Sequence, residues 1–123
     1  MIDWRRVAAV RHEVGEAEFR PIIELFLDEI EGALMGIAPQ DAAGGVAGDA
    51  ASLRHALQFM KGCALNIGLT ALCQTCDAWE AALLQGRQAS LRVDSLMESY
   101  AASRQALMRD IEARTAHQDT GAA

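Results

Sequence analysis

The chain has 123 residues, 51% of them hydrophobic and 23% charged, with a formal net charge of −6. That length suits one domain with one core, which buries roughly two-thirds of the surface an unfolded chain exposes. The negative balance excludes a phosphate-binding surface for nucleic acid, which needs a clustered Lys/Arg excess. No apolar run approaches the ~20 residues that span a bilayer, and Met1 to Arg6 lead into a charged segment, so a cytoplasmic protein without membrane contact is expected.

In chain order, Asp3 is a good N-cap for a short helix through about Val14, with Trp4, Val7, Ala8 and Val10 apolar and Gly15 as the stop. A second helix is predicted from about Ala17 to Met35. Its residues Phe19, Ile23, Phe26, Ile30 and Leu34 recur at spacings of three and four, and Pro21 fixes the start near residues 17 to 20. The segment from Ala38 to Gly48 has one Pro, three Gly and no apolar periodicity, and reads as a flexible connection. Asp49 caps a third helix whose series Leu53, Leu57, Met60, Ala64 and Ile67 ends at Gly68. Thr70 is expected to cap a fourth, with Leu72, Cys76, Trp79 and Leu83 as its stripe and Gly86 as its stop. A last long helix runs from about Val93 to Arg114 through Leu96, Met97, Tyr100, Leu107 and Ile111. With no alternating strand pattern, these elements predict an all-α antiparallel four-helix bundle with an additional short N-terminal helix. The bundle domain spans residues 1–116, and 117–123 form a flexible tail.

The third helix carries the functional information. At 100° per residue, its apolar series falls within an arc of roughly 80°, and His55, Gln58, Gly62 and Asn66 lie on the opposite, solvent-facing side. Lys61 projects from the flank, about 60° and one turn from Gln58. A mid-helix glycine costs up to ~1 kcal/mol relative to alanine, and no core neighbour requires one on an exposed face. Close approach by another molecule accounts for it, and the adjacent lysine suggests that the molecule brings negative charge. Phe59 and Leu65 supply an apolar rim.

The stretch Leu57-Gln58-Phe59-Met60-Lys61-Gly62-Cys63-Ala64-Leu65-Asn66-Ile67-Gly68 resembles the signature of histidine-containing phosphotransfer (HPt) domains. In that signature a histidine, two residues, lysine and glycine are followed by small residues and a Leu-Gly or Ile-Gly pair. Ile2-Asp3-Trp4, Gly15 and Leu25 to Glu29 are similar to the first two helices of bacterial members, so the likeness covers roughly residues 2 to 112. It implies a phosphorelay module that carries a phosphoryl group between receiver-domain aspartates without being an enzyme in its own right. Its partner would be the receiver domain of a response regulator or hybrid histidine kinase. By the same resemblance, Lys61 matches the lysine that helps hold the phosphoryl group, Gly62 the glycine that admits the receiver, and Gln58 the acceptor histidine. The implied partner-binding face comprises His55, Gln58, Phe59, Lys61, Gly62, Leu65 and Asn66.

A carboxamide nitrogen delocalises its lone pair into the carbonyl, so Gln58 is not a practical nucleophile toward an acyl phosphate. Phosphate acceptance should fail there, while hydrogen-bonding reach and hence docking are retained. A natural non-transferring relative and a chain whose histidine was deliberately replaced fit equally. His55 lies on the same face, but Lys61 is about 120° around and roughly 9 Å along the helix from it, which disfavours it as a substitute acceptor. His12 and His117 read as surface residues.

Three cysteines in a chain without an export signal read as reduced thiols. Cys73 and Cys76 have the spacing of half a zinc site or of a redox pair, but no second pair exists and the helical pattern offers no strand-to-helix junction, so no metal or cofactor is expected. Cys76 belongs to the core stripe and Cys63 is expected to be partly exposed. Trp4, Trp79, Phe19 and Phe26 are expected in the core, and Asp28, Glu29 and Glu31 on a solvated face. The alternative function is a helical adaptor or dimerisation module that uses another surface.

Overall fold

The computed structural model describes residues 1–37, 46 and 48–121. Among the described residues five α-helices follow one another: α1 Trp4–Val14, α2 Glu16–Ile37, α3 Ala50–Asn66, α4 Thr70–Leu84 and α5 Val93–Gly121, with a 3₁₀ turn at Gln88–Ser90. No β-strand occurs among the described residues. Helices α2 to α5 form the bundle. Helix α3 lies between α2 and α4, α5 packs on α4 and α2, and α1 packs on α2.

The core is built from the predicted stripes. Ile23 and Ile30 of α2, Leu57, Met60 and Ala64 of α3, Leu72 and Cys76 of α4, and Leu96 and Leu107 of α5 have no exposed surface. Burial removes these apolar side chains from water, at roughly 1.5–3 kcal/mol for each Ile, Leu and Met and less for Ala64 and Cys76, and drives the assembly. Because α3 meets helices on both flanks, its apolar arc is consumed inside and its opposite face stays in solvent.

The caps explain the joints. Asp3 accepts from the Arg5 and Arg6 amides, and Asp49 accepts from Ser52 N at 2.7 Å, as their positions before the helices predict. Thr70 does not cap α4. It is the first residue of the helix, and the preceding buried Leu69 makes no side-chain cap. The N-terminal segment does that work in part: Ala71 N donates to the Met1 carbonyl at 3.2 Å, while Asp3 N, donating to the Gly68 carbonyl at 2.8 Å, ties the segment to the end of α3. Helix α2 begins at Glu16, one residue earlier than predicted, so Pro21 falls in its second turn. The missing amide frees the carbonyl of Ala17, an exposed residue where water can serve. Helix α2 also ends two residues later, with Ile37 buried.

Other expectations are corrected. Trp4 is 46% exposed, because α1 turns Val7 and Val10 inward and leaves the first turn at the rim. Ala8 is exposed on the same short helix, Met97 is 40% exposed on α5, and Phe26 is half-buried against the core. Helix α5 extends to Gly121, beyond Arg114; residues 122 and 123 of the expected tail lie outside the described residues. Most of the connection from Ala38 to Gly48 also lies outside them. Within it, Val46 is buried, and Gln88 Nε2 donates to the Val46 and Gly48 carbonyls at 3.1 and 2.9 Å.

Helix α5 is fastened by polar contacts as well. Thr75 Oγ1 and Ser99 Oγ are 3.0 Å apart between α4 and α5. The buried Tyr100 hydroxyl donates to the Glu31 carboxylate of α2, which also faces Arg104 at 3.6 Å. Glu31 is therefore a bundle tie as well as a solvated acid. Burial, followed by the Glu31 carboxylate, holds the Tyr100 phenol well above its ordinary range.

Candidate functional site

The predicted residues come together on the outer face of α3. His55, Gln58, Gly62 and Asn66 are exposed, as are Phe59 at 45% and Leu65 at 56%. Leu57, Met60, Cys63 and Ala64 alternate with them on the buried side. The polar-out, apolar-in division of one helix is what orients the site; nothing beyond helical periodicity is needed.

Gly62 is open. A Cβ placed there meets no atom within 4 Å, so no neighbour in the chain demands the missing side chain. The backbone at Gly62 is thus bare, one turn on from Gln58, with the exposed Phe59 and Leu65 three residues to either side.

Lys61 is half-buried, and its Nζ donates to Asp77 Oδ1 of α4 at 2.6 Å. The hydrogen bond from that carboxylate, and then its charge, raise the lysine pKa, against a smaller opposing cost of desolvation; Glu80 adds to the rise. Lys61 therefore stays an ammonium throughout the neutral range. One turn before Asp77, Cys73 Sγ donates to the Lys61 carbonyl at 3.8 Å, so α4 grips both ends of this residue.

On the other flank a groove opens between α2 and α3. It is lined by Asp28 and Glu29, by the small residues Gly32, Ala33 and Gly36, and by His55, Ala56 and Phe59 of α3. The apolar rim and the imidazole are thereby continuous with a floor of bare backbone and an acidic edge. Sequence periodicity located His55 and Phe59 but missed the groove, since it needs the register between two helices. It missed Asp77 for the same reason: the partner is 16 residues from Lys61.

The family model for the Hpt domain matches residues 21–114. The chain belongs to the Hpt domain family. A solved structure, histidine-containing phosphotransfer protein B (HptB) from Pseudomonas aeruginosa PAO1, is similar to it over 89% of this chain and 92% of that one, with 25% identity and a TM-score of 0.71. None of the curated proteins matches. This Hpt domain thus has the helical fold of a histidine phosphotransfer module of two-component signalling, a non-enzymatic carrier class. None of its described helices is long and apolar enough to cross a membrane.

The cysteines take no part in the exposed face. All three are buried and unpaired, Cys63 included, contrary to the expectation of partial exposure; it follows Gly62 in sequence but points to the other side of α3. Among the described residues no cluster of His, Cys, Asp and Glu could hold a metal ion. Burial is the first cause that pushes each thiol up, with Cys76 reaching about 12. Iodoacetamide at pH 8 should accordingly label the native Hpt domain far more slowly than the unfolded chain, in which all three thiols become accessible. Fast labelling of the native protein would contradict the buried placement. The linkage also has a definite sign. Above pH 9 the unfolded chain releases thiol protons that Cys76 retains until about 12, so stability falls as pH rises through that window.

Proposed function

We infer that this Hpt domain docks the receiver domain of a response regulator or hybrid histidine kinase through the face centred on Gln58, Lys61 and Gly62, and that it cannot take up the phosphoryl group there. Gln58 stands in the place of the acceptor histidine, Lys61 offers the cation, and Gly62 leaves room for the partner. Phe59 and Leu65 supply the desolvated rim, with His55 and Asn66 as polar neighbours. The observation that carries the reading is the empty space over Gly62: a helix position that forgoes a side chain with nothing in its own chain to fill the gap. The chemistry at position 58 separates binding from transfer, because an amide can accept and donate hydrogen bonds but cannot attack phosphorus. Such a chain acts by occupying a receiver.

Gly62→Arg tests the docking face. Because the site is open, the variant should fold, with stability within about 1 kcal/mol of the parent. Its affinity for a bound receiver should drop by at least about tenfold, since the new side chain fills the contact. Unchanged affinity in both Gly62→Arg and Lys61→Ala would favour a different surface. The observation supporting that second reading is the groove between α2 and α5, lined by Leu34, Met35, Met97, Tyr100 and Met108. Flexible, polarisable methionines suit an adaptor surface. Acetyl-phosphate-charged receivers test the transfer half: stable label on this chain would overturn it.

A further inference from the structure

The ion pair between Lys61 and Asp77 is not needed to hold α4 on α3. Both side chains are partly in solvent, where such pairs contribute little, and the helices already share a core with Leu57, Met60, Leu72 and Cys76. Its effect is on the charge of the face. In the unbound chain the ammonium is engaged at 2.6 Å by one carboxylate, and Glu80, a turn further along α4, lies close enough to act on it as well. Among these three residues negative charge exceeds positive. Yet the docking reading gives Lys61 a second claimant, the anionic phosphoryl group of a receiver.

We propose that Asp77 is an intramolecular competitor for Lys61 that sets how strongly the Gln58 face responds to the phosphorylation state of its partner. This rests on the receiver-docking reading above. A phosphorylated receiver must draw Lys61 away from Asp77 or share it, and either course weakens the contact relative to a free ammonium. Unphosphorylated receivers make a smaller claim on the cation. Asp77 therefore narrows the difference in affinity between the two states, and a chain that cannot discharge the phosphoryl group holds both forms of its partner more evenly.

The test uses the parent chain, Asp77→Asn, Lys61→Met and the double variant, each titrated with one receiver domain, unloaded and loaded with beryllofluoride as the phosphoryl mimic. Asp77→Asn is expected to tighten binding of the loaded receiver about fivefold, with a smaller change for the unloaded form. In the Lys61→Met background the same substitution should change nothing, because the contested cation is gone. Equal or weaker binding by Asp77→Asn, with the parent chain binding normally, would overturn the proposal alone. It would assign Asp77 to holding Lys61 in position. Failure of all four chains to bind any receiver would remove the docking reading and this role with it.

Discussion

Gln58→His is expected to convert a chain that carries no phosphoryl label into one that is labelled by a charged receiver, with the transfer rate rising by roughly 10³-fold or more over the parent's background. The step is balanced by the receiver's own bond: an imidazole nitrogen forms the bond to phosphorus as the bond from phosphorus to the aspartyl oxygen breaks, returning a free carboxylate. The carrier needs a lone pair aimed at solvent, a cation near the transferred group and space for the donor. Position 58 is exposed on α3, Lys61 lies one turn on, and Gly62 leaves the approach clear. On the proposed reading, only a nucleophilic nitrogen lone pair is lacking. Because an unperturbed imidazole has a pKa near 6.5, the restored rate should fall as pH drops below about 6.5, where the nitrogen is occupied by a proton. The label should be acid-labile and stable to alkali, which distinguishes phosphohistidine from an acyl phosphate. A Gln58→His chain that folds, binds receivers and yet stays unlabelled would show that Lys61 and Gly62 do not belong to such a site.

How much of this was legible beforehand follows from the range of each interaction. The face of α3 was fully readable, since Leu53, Leu57, Met60, Ala64 and Ile67 fix its orientation by local periodicity, and all five are buried. The caps at Asp3 and Asp49 were readable for the same reason, being contacts within three residues. What failed was what depends on packing between elements. Trp4 belongs to an apolar series, but α1 is too short to bury both ends, and its first turn lies at the bundle's edge. Cys63 lies about 40° outside the apolar arc of α3, and it is the packing of a neighbouring helix on that flank that buries its thiol. Asp77 carries no local signal of its role; only the lateral approach of α4 to α3 makes it the partner of Lys61. Thr70 had the right residue type for a cap, but Met1 and Asp3, nearly seventy residues away, already serve the joint.

That joint sets the other large effect. Gly68→Ala is expected to lower stability by about 3–4 kcal/mol, which for a domain of this size is a fall in melting temperature on the order of 15 °C. Gly68 has φ +78°, a left-handed conformation that costs an L side chain about 1–2 kcal/mol. A Cβ there would also lie 2.6 Å from the Asp3 carbonyl oxygen and 3.4 Å from Arg6 Cβ and Val7 Cγ2. The obstruction is backbone, which cannot rotate aside, and the same strand of chain is held to Gly68 by the Asp3 amide at 2.8 Å. Arg6 Nε, donating to the Asn66 carbonyl at 2.9 Å, closes the other side of the joint. Gly86 separates the two causes: its φ is +71°, but a Cβ there meets nothing within 4 Å. Gly86→Ala should therefore cost only about 1–2 kcal/mol, the conformational part. The excess at Gly68 measures how tightly α1 is seated against the end of α3. Thermal unfolding of the two variants side by side decides it, and equal losses would mean that the N-terminal segment moves aside at little cost. Gln58 lies ten residues earlier on α3, so a folded Gly68→Ala chain should keep its receiver affinity even as its melting temperature falls. Loss of stability at the joint and loss of binding at the face are then separable, as a site carried by one helix surface requires.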